Sequence, residues 1–218
     1  TGQFAVITSS NFEELNYSAE IAASPLQMEF CRPIALQPKT QLLAHQEDGL
    51  KWFIDCQNVG LPGVIMADDM GLGKTLQALA FLALYREQAC ASQKRPILIV
   101  APTGLLNNWL KEIDTHLIGT GLGTILKVYG AQIRALKQGR GRDTESGIPM
   151  LDTNRLSEAD VVLTTYETLR DYQISFKGVR FGVTVFDEIQ KAKNPKSRVR
   201  NAVAAVYSDF KIGLSGTP

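Results

Sequence analysis

The stretch Val64-Ile65-Met66-Ala67-Asp68-Asp69-Met70-Gly71-Leu72-Gly73-Lys74-Thr75 decides the fold of this chain. It runs from a short apolar strand pattern through a glycine-rich loop into a helical pattern. Glycines let successive backbone N–H groups turn inward around phosphate oxygens. The helix N-terminus that follows adds its partial positive charge. Lys74 would reach the β- and γ-phosphates of a nucleotide, and the Thr75 hydroxyl would ligate magnesium. Asp69, Met70, Gly71, Leu72, Gly73 and Leu76 complete the expected phosphate cradle, with ATP and Mg2+ as its ligands. One position departs from the general pattern G-x-x-x-x-G-K-[ST]: Asp68 stands where the first glycine belongs. An ordinary glycine-rich turn with an exposed lysine is the alternative.

Outward from this loop, apolar strand patterns alternate with helical ones. Strands are expected over 64–66, 97–100, 124–128, 161–164, 183–186 and 211–214. Helices are expected over 42–60, 75–85, 105–113, 133–137, 167–171 and 197–206. Such alternation implies an α/β fold with a mostly parallel sheet covered on both faces. Residues 1–38, punctuated by Pro25, Pro33 and Pro38, predict an irregular or short-stranded N-terminal extension of unknown role, with one lobe over 39–218. Residues 139–158, poor in apolar groups, predict a mobile surface insertion.

A nucleotide site of this kind also needs a carboxylate at the end of a neighbouring strand. Val183-Thr184-Val185-Phe186-Asp187-Glu188 offers two: Asp187 for the magnesium shell and Glu188 as catalytic base. Acidic pairs after apolar strands also occur as solvated strand ends, so the weight comes from the phosphate loop upstream. Leu214-Ser215-Gly216-Thr217-Pro218 follows another apolar strand. Alone it is a plain turn; beside the acidic pair, its small hydroxyl residues can sense the γ-phosphate.

The ordered set G-L-G-K-T, D-E-I-Q and S-G-T-P resembles helicase superfamily two. The fuller strings D-D-M-G-L-G-K-T, Ile99-Val100-Ala101-Pro102 leading to Leu105, Asn108 and Trp109, Thr164-Thr165-Tyr166-Glu167, and D-E-I-Q-K-A-K-N-P resemble the Swi/Snf-type ATPases over residues 40–218. That resemblance implies the first RecA-like lobe of a double-stranded-DNA translocase that remodels protein–DNA complexes. It implies an adenine contact for Gln46, whose alternative is an exposed glutamine near a helix start. It implies coupling roles for Gln190, Ser215, Gly216 and Thr217, and a DNA track along Pro102, Thr103, Thr164, Thr165 and Tyr166. Core or capping roles suit those threonines equally well. The family's acidic box often ends in histidine where Gln190 stands here. The family also carries a second RecA-like lobe in cis, whose arginines complete the ATP site. Arginine fingers contribute about 10³ to 10⁵ in rate, so the isolated lobe is expected to be nearly inactive.

Composition narrows the alternatives. The 218 residues carry a formal net charge of +1, so nucleic-acid binding cannot be argued from the total. Lys191, Lys193, Lys196, Arg198 and Arg200 form one basic run and Arg134, Lys137, Arg140 and Arg142 a looser one; both suit phosphate contact or a solvated helix face. No apolar run approaches the roughly 20 residues of a membrane span. Cys31, Cys56 and Cys90 lack pairing or metal spacing, and His45 and His116 read as structural or surface residues. An intracellular setting follows, cytoplasmic or nucleoid in a bacterium and nuclear in a eukaryote. A start at Thr1 and an end at Pro218 suggest an excised fragment. Rival readings are a lobe of an RNA or DNA strand-separating helicase, or a nucleotide-dependent scaffold without catalysis.

Overall fold

The computed structural model describes residues 26–69, 71–90, 94–119, 121–137, 150–194 and 197–216. Within them the strands are β1 (Gly63–Met66), β2 (Ile97–Val100), β3 (Ile125–Val128), β4 (Val161–Thr164), β5 (Arg180–Asp187) and β6 (Tyr207–Leu214). The α-helices are α1 (Ala44–Asn58), α2 (Lys74–Gln88), α3 (Leu106–His116), α4 (Thr153–Glu158), α5 (Tyr166–Asp171), α6 (Gln173–Lys177) and α7 (Arg198–Ala205). The strands form one sheet in the order β1-β6-β5-β2-β4-β3. Every pairing in it is parallel.

Alternation along β2 shows how the sheet is covered. Ile97 and Ile99 enter a core built with α1, α2 and α3. Leu98 and Val100 enter a second core on the opposite face, with α5, α6 and α7. A strand buried on both faces needs a continuous apolar run, and Ile97 to Val100 supply one with no exposed surface. In the first core Phe81 packs between Phe53 and Phe210, each ring centroid 5.6 Å away. Truncating such a residue to alanine costs about 3–5 kcal/mol.

The strong periodic elements lie where the sequence predicts them, and the corrections fall on weak ones. β5 and β6 extend further toward their amino ends than 183–186 and 211–214. Part of the expected insertion belongs to the lobe. Residues 138–149 lie outside the described residues, but Leu151 and Leu156 are fully buried. Asp152 caps α4 by accepting hydrogen bonds from Asn154 N and Arg155 N. The helix is short and its apolar residues are isolated among polar ones, which hides it from a periodicity argument. The short α6 escaped for the same reason.

The described part of the N-terminal segment is irregular, apart from a bridge between Leu36 and Leu117. It is nevertheless fastened to the lobe. The Asn58 side-chain amide pairs with both main-chain groups of Met28, at 2.8 Å each. Gln88 does the same for Glu29. Met28, Ala35 and Leu36 are buried in the first core.

Parallel strands bring their carboxyl ends to one side of the sheet. Met66 of β1 pairs with Leu214 of β6, and Leu214 pairs with Asp187 of β5. The phosphate loop, the 215–216 turn and the acidic pair therefore leave the sheet side by side, within two strand spacings or roughly 10 Å. Ligand crevices in open α/β sheets lie at this edge.

Candidate active site

The loop after β1 turns on two glycines in the left-handed region, Gly71 at φ 89° and Gly73 at φ 75°. Gly73 precedes α2 directly and also lacks room for a side chain: a Cβ there would stand 2.3 Å from Gln46 Nε2. A Cβ on Gly71 would meet nothing within 4 Å. Lys74, the first residue of α2, folds back so that its ammonium donates to the Asp68 and Asp69 carbonyls at 2.6 and 2.8 Å. Met70 lies outside the described residues. Leu76 packs half-buried against the first core rather than into the loop.

The loop is braced through one carbonyl. Leu72 O receives Gln46 Nε2 at 3.2 Å, Gln77 Nε2 at 3.3 Å and His45 Nε2 at 3.2 Å. A carbonyl has two lone pairs, so three donors compete for it. Gln46 is buried rather than exposed, and its Oε1 accepts from Leu43 N at 3.0 Å. His45 is a surface residue as expected, yet it belongs to this brace. Gln77 was not anticipated from sequence.

Across the cleft, Asp187 ends β5 and Glu188 follows at φ 54°, the only non-glycine residue with positive φ among the described residues. A left-handed residue there costs roughly 1–2 kcal/mol and turns the chain sharply out of the sheet. Trp109 Nε1 donates to Asp187 Oδ2 at 2.9 Å. The Tyr166 hydroxyl donates to the Asp187 carbonyl at 2.7 Å. Burial pushes the Asp187 carboxyl above its ordinary range; the indole N–H opposes that and the neighbouring Glu188 charge adds to it. Burial, then the charges of Asp187 and Glu188, push the Tyr166 phenol far up, so it remains a donor.

Gln190 Nε2 donates to Glu188 Oε2. Ser215 Oγ in turn donates to Gln190 Oε1 at 3.1 Å. Three of the residues singled out for the acidic box and the C-terminal turn thus form one chain, Ser215–Gln190–Glu188. Thr217 lies outside the described residues.

These groups enclose a cavity of about 220 Å³, lined among others by Gly71, Lys74, Thr75, Asp187, Glu188 and Gly216. Its remaining wall is one face of α3 and the turn before it, with Leu105, Asn108, Trp109 and Glu112. Trp109 is the largest side chain of that wall. It is buried, at 1 % exposure, and its polar edge still reaches the site. Asn108 and Glu112 were not anticipated as lining residues; their i, i+4 spacing was the available signal.

The expected nucleic-acid track divides. Pro102 is half-buried and Thr103 exposed. Thr164, Thr165 and Tyr166 are all buried. Thr164 Oγ1 donates to Val128 O at 2.7 Å, and Thr165 caps α5 by accepting from Thr168 N. The side chains of these three residues are therefore committed inside the protein, and for the two threonines these are the core and capping roles weighed beside the DNA track. Lys191, Lys193, Arg198 and Arg200 are exposed, as are Arg134 and Lys137. Lys196, Arg140 and Arg142 lie outside the described residues.

A wholly parallel sheet with a glycine loop after one strand and paired carboxylates two strands away defines a RecA-like α/β lobe. Residues 45–218 match the family model described as SNF2-related domain, and the chain belongs to that family. It is 37 % identical over 222 residues to the Zorya protein ZorD of Escherichia coli O139:H28, covering 95 % of this chain. It is 33 % identical over 217 residues to the DNA repair and recombination protein RAD54 of Oryza sativa subsp. japonica, covering 94 %. The chain spans 20 % of the length of each of these relatives. Among solved structures it is similar to the Sulfolobus solfataricus SWI2/SNF2 ATPase core in complex with dsDNA. There the TM-score is 0.68 at 27 % identity, over 87 % of this chain and 34 % of that one. Among the described residues no helix is long and apolar enough to cross a membrane.

Proposed function

We propose that this chain is the ATP-binding lobe of a DNA-dependent ATPase that translocates on double-stranded DNA and remodels protein–DNA complexes. The observation that carries the proposal is the convergence of Lys74, Thr75, Asp187 and Glu188 on one cavity, with Gly71 leaving open space beside it. One ammonium, one hydroxyl, two carboxylates and a helix N-terminus form a donor set suited to a magnesium-bound triphosphate.

Bound there, Mg2+ would supply charge neutralisation for phosphoryl transfer. Thr75 and Asp187 would hold it. Lys74 would leave the Asp68 and Asp69 carbonyls for the phosphates. Glu188 would orient a water and accept its proton, held meanwhile by Gln190. Ser215 ties that glutamine to the end of β6, so the chain Ser215–Gln190–Glu188 would transmit the state of the site to the following segment. Gln46 would read the base beside the loop it braces. DNA would contact Pro102, Thr103 and the exposed basic residues around α7. A second lobe in cis would complete the site, and the lobe alone would turn over very slowly.

Calorimetric titration with Mg–ATP, on the full-length protein and its Lys74→Ala variant, tests the site. Tight binding that falls at least 100-fold in the variant is expected. Equal binding by both proteins, or none by either, would sink the proposal. Support for the DNA step requires that double-stranded DNA stimulate ATP hydrolysis by the full-length protein.

A further inference from the structure

Among the described residues no cation is bonded to the Asp187 carboxylate, although the nearby Lys74 charge favours its ionised form. Neutral donors hold it instead, the indole of Trp109 on its carboxylate and the hydroxyl of Tyr166 on its carbonyl. We propose that Trp109 is a positioning residue for the magnesium-shell carboxylate: its indole N–H fixes one oxygen of Asp187 and aims the group into the cavity. This rests on the reading of Asp187 as a magnesium-shell acid.

Three features favour this over simple core filling. First, the indole is 1 % exposed, yet Trp109 lines the cavity shared by Lys74, Thr75 and Asp187. Second, its location is fixed from both sides along α3, by the buried Leu106 and Ile113. Third, indole N–H is a donor that neither accepts nor ionises. It can therefore orient a carboxylate without cancelling its charge, as lysine or arginine would. Groups that orient metal ligands in this way typically change metal affinity by about 10–100-fold when removed.

The test compares ATP binding by the full-length protein with magnesium and with EDTA, for the natural sequence, Trp109→Phe and Lys74→Ala. Phenylalanine keeps an aromatic ring and removes the donor. The expectation is an affinity for metal-free ATP within about twofold of the natural protein. Affinity for Mg–ATP should fall by roughly 10-fold or more. Lys74→Ala should lose both, because it acts on the phosphates directly. Equal losses by Trp109→Phe in the two conditions would assign Trp109 to packing and overturn the proposal, as would no loss in either. Should Trp109→Phe unfold, the benzothienyl analogue of tryptophan at position 109 exchanges N–H for sulfur with little change of shape, and the same two titrations decide. A natural protein that binds ATP equally well with and without magnesium would remove the role of Asp187 itself, and Trp109 with it.

Discussion

Asp160 stands just before β4, at the amino edge of the sheet, while Asp187 closes β5 at the carboxyl edge. Asp160 is bound by the Arg86 guanidinium and by the Thr124 amide and hydroxyl, at 2.8 and 3.0 Å. Burial would raise its pKa, but the Thr124 hydrogen bonds and Arg86 together outweigh that and hold it below the ordinary carboxylate range. For Asp187 the balance is reversed. Burial dominates, a like charge adjoins it, and its pKa is raised. One acid is satisfied by the fold. The other has no cation bonded to it among the described residues, and the nearby Lys74 charge offsets its burial only in part.

The sharpest way to break this contrast is at the residue after Asp187. In the full-length protein, Glu188→Gln should lower DNA-stimulated ATP turnover by about 10²–10⁴-fold, the range for loss of a positioned general base. ATP binding should change little. The amide is nearly isosteric, and the strained backbone at 188 is retained. If steady-state turnover survives, the carboxyl edge of the sheet holds nucleotide without hydrolysing it.

Conversion of each aspartate to asparagine reads the comparison as stability. Asp160→Asn removes the charge that Arg86 and Thr124 hold, and should cost roughly 2 kcal/mol, in the range for hydrogen bonds to a charged group. Because the folded pKa of Asp160 is depressed, its contribution is full above the unfolded value of about 3.9 and is lost as pH falls through the folded value. The stability gap between the natural protein and Asp160→Asn should therefore narrow toward acid pH. Asp187→Asn has the opposite sign. Its folded pKa is raised, so the ionised group costs stability at neutral pH, and the substitution should raise Tm while weakening Mg–ATP binding. Thermal unfolding of both variants from neutral pH down to about pH 3 checks the signs. A lower Tm for Asp187→Asn would remove the contrast.

What could be read from sequence follows the same division. Gly71, Gly73, Lys74 and Thr75 fall within five consecutive residues of distinctive chemistry, and Asp187 and Glu188 end an unmistakable apolar strand. Their convergence follows once the sheet is parallel. The groups that support them were less legible because each bond joins residues far apart in the chain. Nothing local at Trp109 announces Asp187, and nothing at Gln77 or His45 announces the Leu72 carbonyl. Thr164, Thr165 and Tyr166 were assigned to a DNA track by likeness, with core or capping roles open for the threonines. Their burial depends on contacts with β3, with the first turn of α5 and with the end of β5, which only the packed structure records. The helix at Thr153–Glu158 was missed because two buried leucines, Leu151 and Leu156, are too few to set a period.

The smallest effect is expected in the middle of β5, between those two kinds of chemistry. Thr184 is fully buried, and its hydroxyl has no hydrogen-bond partner among the described residues. Its neighbours in register are Leu98 and Lys211. Valine keeps the β-branched shape that suits a strand and removes the unsatisfied oxygen. Thr184→Val should therefore stabilise by about 1 kcal/mol and raise Tm by roughly 2–4 °C in a chain of this size. Mg–ATP affinity should stay the same, since the substitution lies three residues before the acidic pair and Thr184 is not among the residues lining the cavity. A fall in Tm would mean that the hydroxyl finds a partner in solution, and the middle of the strand would then be as polar in its demands as its end.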